Sequence, residues 1–163
     1  MSQNIYPGVF LAALIETVFP PIPSEVVFPL AGYSILKNEM NVFHVVGVGI
    51  TGGAGATVGA FVIYIISKRL GRIGLIKYLK YAKIKESSLK KADHWFEKYG
   101  DKSVIIGRVI PGIRELVSIP AGIFNMNPIK FLIFTLIGSC IWSIALTGMG
   151  YYFGIATLNV FLK

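Results

Sequence analysis

Prolines and charged residues interrupt two apolar segments of the chain where a membrane-spanning helix would run without a break. The first interruption lies between Glu16 and Glu25, and the second lies between Arg108 and Glu115. A charged side chain at the centre of a bilayer costs roughly 3 kcal/mol on insertion scales, so such residues usually have a function. Irregular backbone at that depth persists only where protein buries it or where it lines a wet cavity. The two interruptions therefore predict a transport site inside a membrane protein.

Composition and charge distribution also indicate a membrane protein. Hydrophobic residues make up 54% of the 163 residues, charged residues make up 15%, and the mean hydropathy is +0.66. The net charge of +8 would suit nucleic acid, but 11 of the 16 Lys and Arg residues lie between Lys68 and Lys102, just after an apolar run. This clustering marks a cytoplasmic loop that can also attract anionic lipid headgroups. We therefore expect a multi-pass protein of the inner or plasma membrane, without a nucleic-acid partner.

Five segments follow from the apolar and polar runs, within a single membrane domain over residues 1–163. They are a re-entrant hairpin at 8–36, a transmembrane helix at 42–66, a basic amphipathic cytoplasmic linker at 67–101, a second re-entrant hairpin at 103–124 and a second transmembrane helix at 128–153. The run at 42–66 is about 37 Å long as a helix, which is enough to cross a bilayer.

The linker contains a helical pattern of its own. Leu89, Ala92, Phe96 and Tyr99 fall on one helical face, and Gly100 supplies a stop. We predict an amphipathic helix that lies in the cytoplasm or at the membrane surface, with its tryptophan at headgroup level.

Prolines divide each hairpin into half-helices. A proline inside a helix removes a hydrogen bond and clashes with the preceding turn, so Pro29 and its neighbours argue against a straight spanning helix at 8–36. The residues expected to break the hairpins are Pro20, Pro21, Pro23, Pro111, Gly112 and Pro120. Each segment is therefore predicted to enter and leave the membrane from the same face.

The broken segments and the spanning helices repeat. Residues Pro21, Glu25, Ala31 and Gly32 recur 90 positions later as Pro111, Glu115, Ala121 and Gly122, and Gly55 and Gly71 recur 83 positions later as Gly138 and Gly154. If the basic linker is cytoplasmic, the first hairpin opens outward and the second opens inward. We therefore predict an all-α, polytopic membrane protein with two inverted-topology repeats, an arrangement typical of secondary transporters.

Arg108 and Arg114 are the candidate substrate-binding cations. The break at Pro111-Gly112 lies between them, so a hairpin tip there would let both guanidinium groups converge on one point. A guanidinium offers a fixed fork of donors that matches phosphate, and half-helix amides at the break would add further donors. The alternative is that each arginine reaches toward the membrane surface or pairs with a buried glutamate.

Glu16 and Glu25 bracket the first break and are the candidate acids. Either carboxylate can neutralise an arginine when no substrate is present, and either can bind and release a coupling proton. The alternative for Glu25 is a structural role at a helix start, where it would satisfy free backbone amides. Glu115 adjoins Arg114 and is expected only to balance its charge.

Other chemistry has little support in the sequence. His44 and His94 lie far apart and have no companions at metal-ligand spacing, so we expect no metal and no cofactor. The chain lacks the Gly-rich phosphate loop and the common hydrolase motifs, and we expect no enzymatic activity. A single cysteine, Cys140, allows no intrachain disulfide.

The chain resembles the DedA family, whose shared region is called the VTT domain, over nearly its whole length. The matching residues include Glu16, Pro20-Pro21-Ile-Pro-Ser-Glu25, Gly107-Arg108-Val-Ile-Pro111-Gly-Ile-Arg114, Pro120-Ala-Gly122, Trp142 and Gly150-Tyr151. The resemblance implies two opposed re-entrant hairpins, acidic and arginine residues needed for activity, and movement of polyprenyl phosphates or phospholipids that depends on the proton motive force. Longer relatives carry a further hydrophobic helix after the Gly-Tyr motif, which we do not expect here.

Together these patterns predict a lipid transporter, or flippase, that moves a lipid with a phosphate headgroup, such as undecaprenyl phosphate or a phospholipid, between leaflets. Protons are the expected coupling ion, and a homo-oligomer remains open. The alternatives are a proton-coupled exchanger of small cations or drugs, in which the acids bind substrate, and a scaffold that organises lipids without transport.

Overall fold

The protein is helical throughout the part of the chain that the structure describes. A computed structural model describes residues 5–18, 24–81, 86–110, 113–114 and 116–161, and within them it has seven helices and no strand. The helices are α1 (Ile5–Val18), α2 (Ser24–Lys37), α3 (Phe43–Tyr81), α4 (Glu86–Tyr99), α5 (Lys102–Arg108), α6 (Ser118–Ile123) and α7 (Pro128–Phe161). The prediction of an all-α protein is confirmed.

Two helices are long and apolar enough to cross a membrane. They are Phe43–Gly71 of α3 with 29 residues and Pro128–Gly154 of α7 with 27 residues. At about 1.5 Å per residue, each exceeds the roughly 30 Å hydrocarbon core. The helices pack closely, and a Cβ added at Gly53 of α3 would lie 2.6 Å from the Sγ of Cys140 in α7. Close approach through small residues is the usual way that membrane helices associate.

Helix α3 is longer than the segment predicted at 42–66. It continues to Tyr81 and bends at Gly71, where φ is 60° and ψ is −165°. Glycine adopts this conformation without the steric penalty that a side chain would impose. The predicted linker at 67–101 therefore begins inside a continuous helix. Helix α7 begins at Pro128, the position at which the sequence predicted a helix start, because the first turn needs no amide donor from that residue.

The shorter helices pack against the two long ones in a crossed pattern. Helices α1 and α6 contact α3, whereas α2 and α5 contact α7. Glycines mark the contacts: a Cβ added at Gly32 of α2 would overlap the Thr147 carbonyl oxygen of α7, and one added at Gly122 of α6 would overlap the Tyr64 carbonyl oxygen of α3. Each broken segment thus contacts both long helices.

Two of the prolines expected to interrupt the chain lie inside helices instead. Pro29 lies within α2, and Pro120 is the third residue of α6. The first turn of a helix has no intrahelical acceptor for its amides, so Pro120 removes no hydrogen bond there. Pro29 removes one, while its backbone packs tightly against Gly150 of α7. The other expected break residues, Pro20, Pro21, Pro23, Pro111 and Gly112, lie outside the described residues.

Helix α4 is the amphipathic helix that the linker pattern predicts. Leu89, Ala92 and Phe96 are buried and Gly100 ends the helix with a φ of 56°, although Tyr99 is 39% exposed. Leu89 and Ala92 share an apolar cluster with residues of α3 and α6, and Trp95 donates its Nε1–H to the Ser103 carbonyl at 3.2 Å. The apolar face of α4 therefore covers protein rather than lipid headgroups.

Candidate functional site

A small polar cavity lies where α1, α5 and the middle of α7 meet. Its volume is about 30 Å³, and its polar lining includes Glu16, Arg108, Arg114, Ser139, Trp142 and Ser143. One water molecule occupies about 30 Å³ in the liquid, so the cavity is closed to anything much larger in this conformation. Residues from both interrupted segments reach it, although they are far apart in the sequence.

Arg114 joins the two interrupted segments through an ion pair. Its Nη2 lies 2.9 Å from Oε1 of Glu16 and 3.8 Å from Oε1 of Glu25, and its guanidinium carbon lies 5.3 Å from the ring centre of Trp142. The side chains of Arg114 and Glu16 are 11% and 5% exposed, whereas that of Glu25 is 47% exposed. A pair this buried is held by close geometry, because each charge would be costly in that position alone.

Arg108 binds the chain around the second break. It is 4% exposed, and it donates from Nη1 to the Arg114 carbonyl oxygen at 2.8 Å and from Nη2 to Oγ of Ser118 at 2.6 Å. These bonds connect the end of α5 to the residues before α6 and to the first residue of α6. Both arginines line the same cavity, as their spacing led us to expect, but their partners differ.

The cavity lining carries a positive excess. Two guanidinium groups and one carboxylate, that of Glu16, face a space shielded from solvent. A confined site with this balance attracts anions, and guanidinium groups fit the oxygens of phosphate. Because Glu16 already occupies a donor of Arg114, an anion can reach that donor only by replacing the carboxylate.

The VTT domain family matches residues 22–152 of the chain. An alkaline phosphatase-like protein of Lactococcus lactis subsp. cremoris is 35% identical, and the alignment covers 94% of this chain and 73% of that relative. Undecaprenyl phosphate transporter A of Staphylococcus aureus is 33% identical over 92% of this chain and 74% of its own, and protein DedA of Escherichia coli K12 is 30% identical over 92% and 69%.

This chain belongs to the DedA, or VTT-domain, family. The match confirms the resemblance drawn from the residues around Glu25 and Arg108. Together with the two long apolar helices, it establishes the protein as a multi-pass protein of the cell membrane. No solved structure matches the chain.

Three polar cavity residues of this DedA-family protein were absent from the site predicted from sequence. Ser139, Trp142 and Ser143 all lie on α7, and Trp142 had entered only through the family resemblance. A signal for the two serines was present, because Thr135, Ser139, Ser143 and Thr147 recur every four residues within an apolar run and must share a helix face.

The remaining residues considered from sequence lie away from this cavity. His44 and His94 are not among its lining residues, and Glu115 lies outside the described part of the chain. Within residues 5–18, 24–81, 86–110, 113–114 and 116–161, no three His, Cys, Asp or Glu side chains come close enough to hold a metal ion.

Proposed function

We propose that this protein moves a phosphate-bearing lipid, either a polyprenyl phosphate such as undecaprenyl phosphate or a phospholipid, between the leaflets of the membrane. The observation that carries the proposal is the Arg114–Glu16 ion pair, which lies in a closed cavity between two helices long enough to span a bilayer. The printed name of the Staphylococcus aureus relative supports the same class of substrate.

We further propose that the two halves are inverted repeats whose broken segments form re-entrant hairpins. The glycine contacts support this relation. Gly32 meets the Thr147 carbonyl and Gly122 meets the Tyr64 carbonyl, so the two glycines are 90 residues apart and the two carbonyls are 83 residues apart. These are the same two offsets that relate the halves in the sequence. Opposed repeats around a central site are the usual basis of alternating access.

In this mechanism Arg114 exchanges one anion for another. Glu16 holds the guanidinium when the cavity is empty of lipid, and a phosphate oxygen replaces the carboxylate when lipid binds. Arg108 keeps the backbone of the second break in place through its bonds to Arg114 and Ser118. The prenyl or acyl tail stays in the bilayer, where it needs no polar channel.

Proton coupling follows from the same exchange. A carboxylate displaced from its guanidinium inside a confined cavity is costly while charged, so binding a proton stabilises it. Glu25 lies on the exposed side of Arg114, 3.8 Å from the guanidinium, which suits a second carboxylate that passes protons to solvent. Glu16 and Glu25 are thus the proposed proton carriers.

Liposomes containing the purified protein test the function directly. Labelled polyprenyl phosphate or phospholipid should move between leaflets faster than in empty vesicles, and an imposed proton gradient should change its rate. No movement above empty vesicles under any gradient would refute the proposal. Release of inorganic phosphate from the labelled lipid would instead favour the activity in the name of the Lactococcus relative.

Charge variants separate the proposal from its two rivals. Arg114→Glu should abolish movement of a phosphate lipid, whereas a small-cation exchanger that binds substrate through its carboxylates would tolerate it. A scaffold without transport would work in cells with both Arg108→Gln and Arg114→Gln. The positive excess of the lining favours the lipid transporter over the cation exchanger.

A further inference from the structure

Helix α7 carries four hydroxyl side chains in one buried row. Thr135, Ser139, Ser143 and Thr147 are spaced four residues apart, and their exposed fractions are 0%, 6%, 1% and 0%. The row extends about 18 Å along the helix axis, more than half of the hydrocarbon thickness. Its two central members, Ser139 and Ser143, line the charged cavity. The row therefore extends from the cavity toward both ends of the membrane-spanning part of α7.

The end members of this row differ from the other helical hydroxyls. Hydroxyls in an apolar helix commonly donate to the carbonyl four residues earlier, and Thr51, Thr57 and Ser67 of α3 do so at 2.7–2.8 Å. Thr135 and Thr147 are completely buried, yet their hydroxyls have no hydrogen-bond partner in the described part of the chain. A buried hydroxyl without a partner is costly, so a ligand that visits it would supply the missing bond.

Trp142 adds a donor beside the row. Its Nε1–H is buried and has no acceptor among the described residues, while its ring lies under the Arg114 guanidinium. An indole N–H can only donate, as can a guanidinium, and a hydroxyl can donate as well. A row of donors that meets two arginines fits a ligand that only accepts hydrogen bonds, which describes the oxygens of a phosphate group.

We propose that the four hydroxyls of α7 form the path along which the phosphate of the lipid travels to and from the cavity, an inference that rests on the proposed lipid transport. The end at Thr147 lies against Gly32 of α2, in the first broken segment. The end at Thr135 lies one turn from Gly138, which packs on Arg108 of α5. The path therefore runs from one broken segment to the other and opens when α2 or α5 moves away from α7.

Threonine-to-valine variants test this path because they replace the hydroxyl with a methyl group of similar size. Thr135→Val and Thr147→Val should each slow lipid movement about tenfold, the loss expected when a hydrogen bond to a charged group disappears from a rate-limiting step. Their melting temperatures should stay equal or rise, because the change removes a buried polar group without a partner. Thr57→Val is the matched control, since Thr57 is buried in α3 but bonds its own helix. It should keep the wild-type rate.

The assay uses liposomes of phosphatidylcholine and phosphatidylglycerol that carry a trace of fluorescent polyprenyl phosphate and a membrane-impermeant quencher outside. Thr135→Ser and Thr147→Ser restore the hydroxyl and should restore the rate. If a valine variant fails to fold, Ser139→Ala and Ser143→Ala make smaller changes in the same row and should also slow movement about tenfold.

Three outcomes separate the possibilities. If the wild type moves the lipid and both valine variants match its rate, the path is wrong while the transporter stands. If the wild type moves no lipid, the proposed function itself fails. If the valine variants lose proton uptake into vesicles loaded with a pH dye but move lipid at the wild-type rate without a gradient, the row conducts water and protons, and the phosphate path is refuted.

Discussion

The two broken segments make matching contacts but supply opposite charges to the cavity. In the first segment, α1 and α2, Gly32 packs on a carbonyl of α7, and in the second, α5 and α6, Gly122 packs on a carbonyl of α3. The first segment contributes Glu16 and the second contributes Arg108 and Arg114. The comparison teaches that a shared packing framework can hold side chains of either sign, so framework and charge should respond to separate mutations.

The largest effect should come from reversing the charge of Arg114. Arg114→Glu removes the substrate-binding cation and places two carboxylates side by side, so lipid movement should fall at least about 100-fold and stability should fall by about 3–5 kcal/mol. Liposome transport and thermal melting measure the two effects. Lys130→Glu reverses an exposed cation whose side chain is 62% exposed, and it should leave transport unchanged. Equal losses in both variants would mean that net charge matters and that the cavity does not.

The packing framework should respond equally in the two segments. Gly32→Ala and Gly122→Ala each push a methyl group into a backbone carbonyl, which should lower stability by up to about 3 kcal/mol. Gly8→Ala is the control because a Cβ there meets no atom within 4 Å, and it should be neutral or slightly stabilising. Thermal melting in detergent measures all three. A loss at only one of the two glycines would break the correspondence between the segments.

The second segment also depends on an internal bond that involves Ser118. Ser118→Ala removes an acceptor of the Arg108 guanidinium and should cost about 1.5 kcal/mol, the usual value for a hydrogen bond to a charged group. Transport should slow because the carbonyl of Arg114 is held by the same guanidinium. In the first segment, Ser34→Ala removes only a bond to the Leu30 carbonyl and should change neither quantity. Identical melting and transport for both variants would contradict an anchoring role for Arg108.

The smallest effect on stability should come from Glu25. Its side chain is 47% exposed and 3.8 Å from Arg114, so Glu25→Gln should cost less than about 1 kcal/mol. Glu16→Gln, at a side chain 5% exposed and 2.9 Å away, should cost about 3 kcal/mol or more. Melting curves compare the two, and transport under a proton gradient shows which carboxylate is needed for coupling. A larger loss at Glu25 would reverse the assignment of the inner acid.

Much of this site could be predicted from the sequence, because charges within apolar runs are rare for energetic reasons. Glu16, Arg108 and Arg114 stood out in this way, and all three line the cavity. The start of α7 at Pro128 was also readable, since proline is favoured at a first helical position. These features depend on local chemistry, which the sequence records directly.

Other features depend on tertiary contacts and could not be predicted. Pro29 predicted an interruption, yet α2 continues through it and packs on Gly150. The division of labour between Arg108 and Arg114 follows from which carbonyl and which carboxylate each one meets, and spacing alone gives no information about that. The extension of α3 beyond residue 66 is similar, because polar residues there fit a helix and a loop equally well.

The crossed packing of the short helices has a mechanical consequence. Helix α6 is clamped to α3, where the hydroxyl of Tyr64 donates to the Met126 carbonyl, and α2 is clamped to α7. The two halves are thus interlocked like clasped hands, and a hinge placed at the midpoint of the chain would tear both clamps. The rigid bodies that rotate against each other must instead be mixed, one built on α3 with α1 and α6, the other on α7 with α2 and α5. Glu16 belongs to the first body, and the seam between the two bodies runs through the cavity.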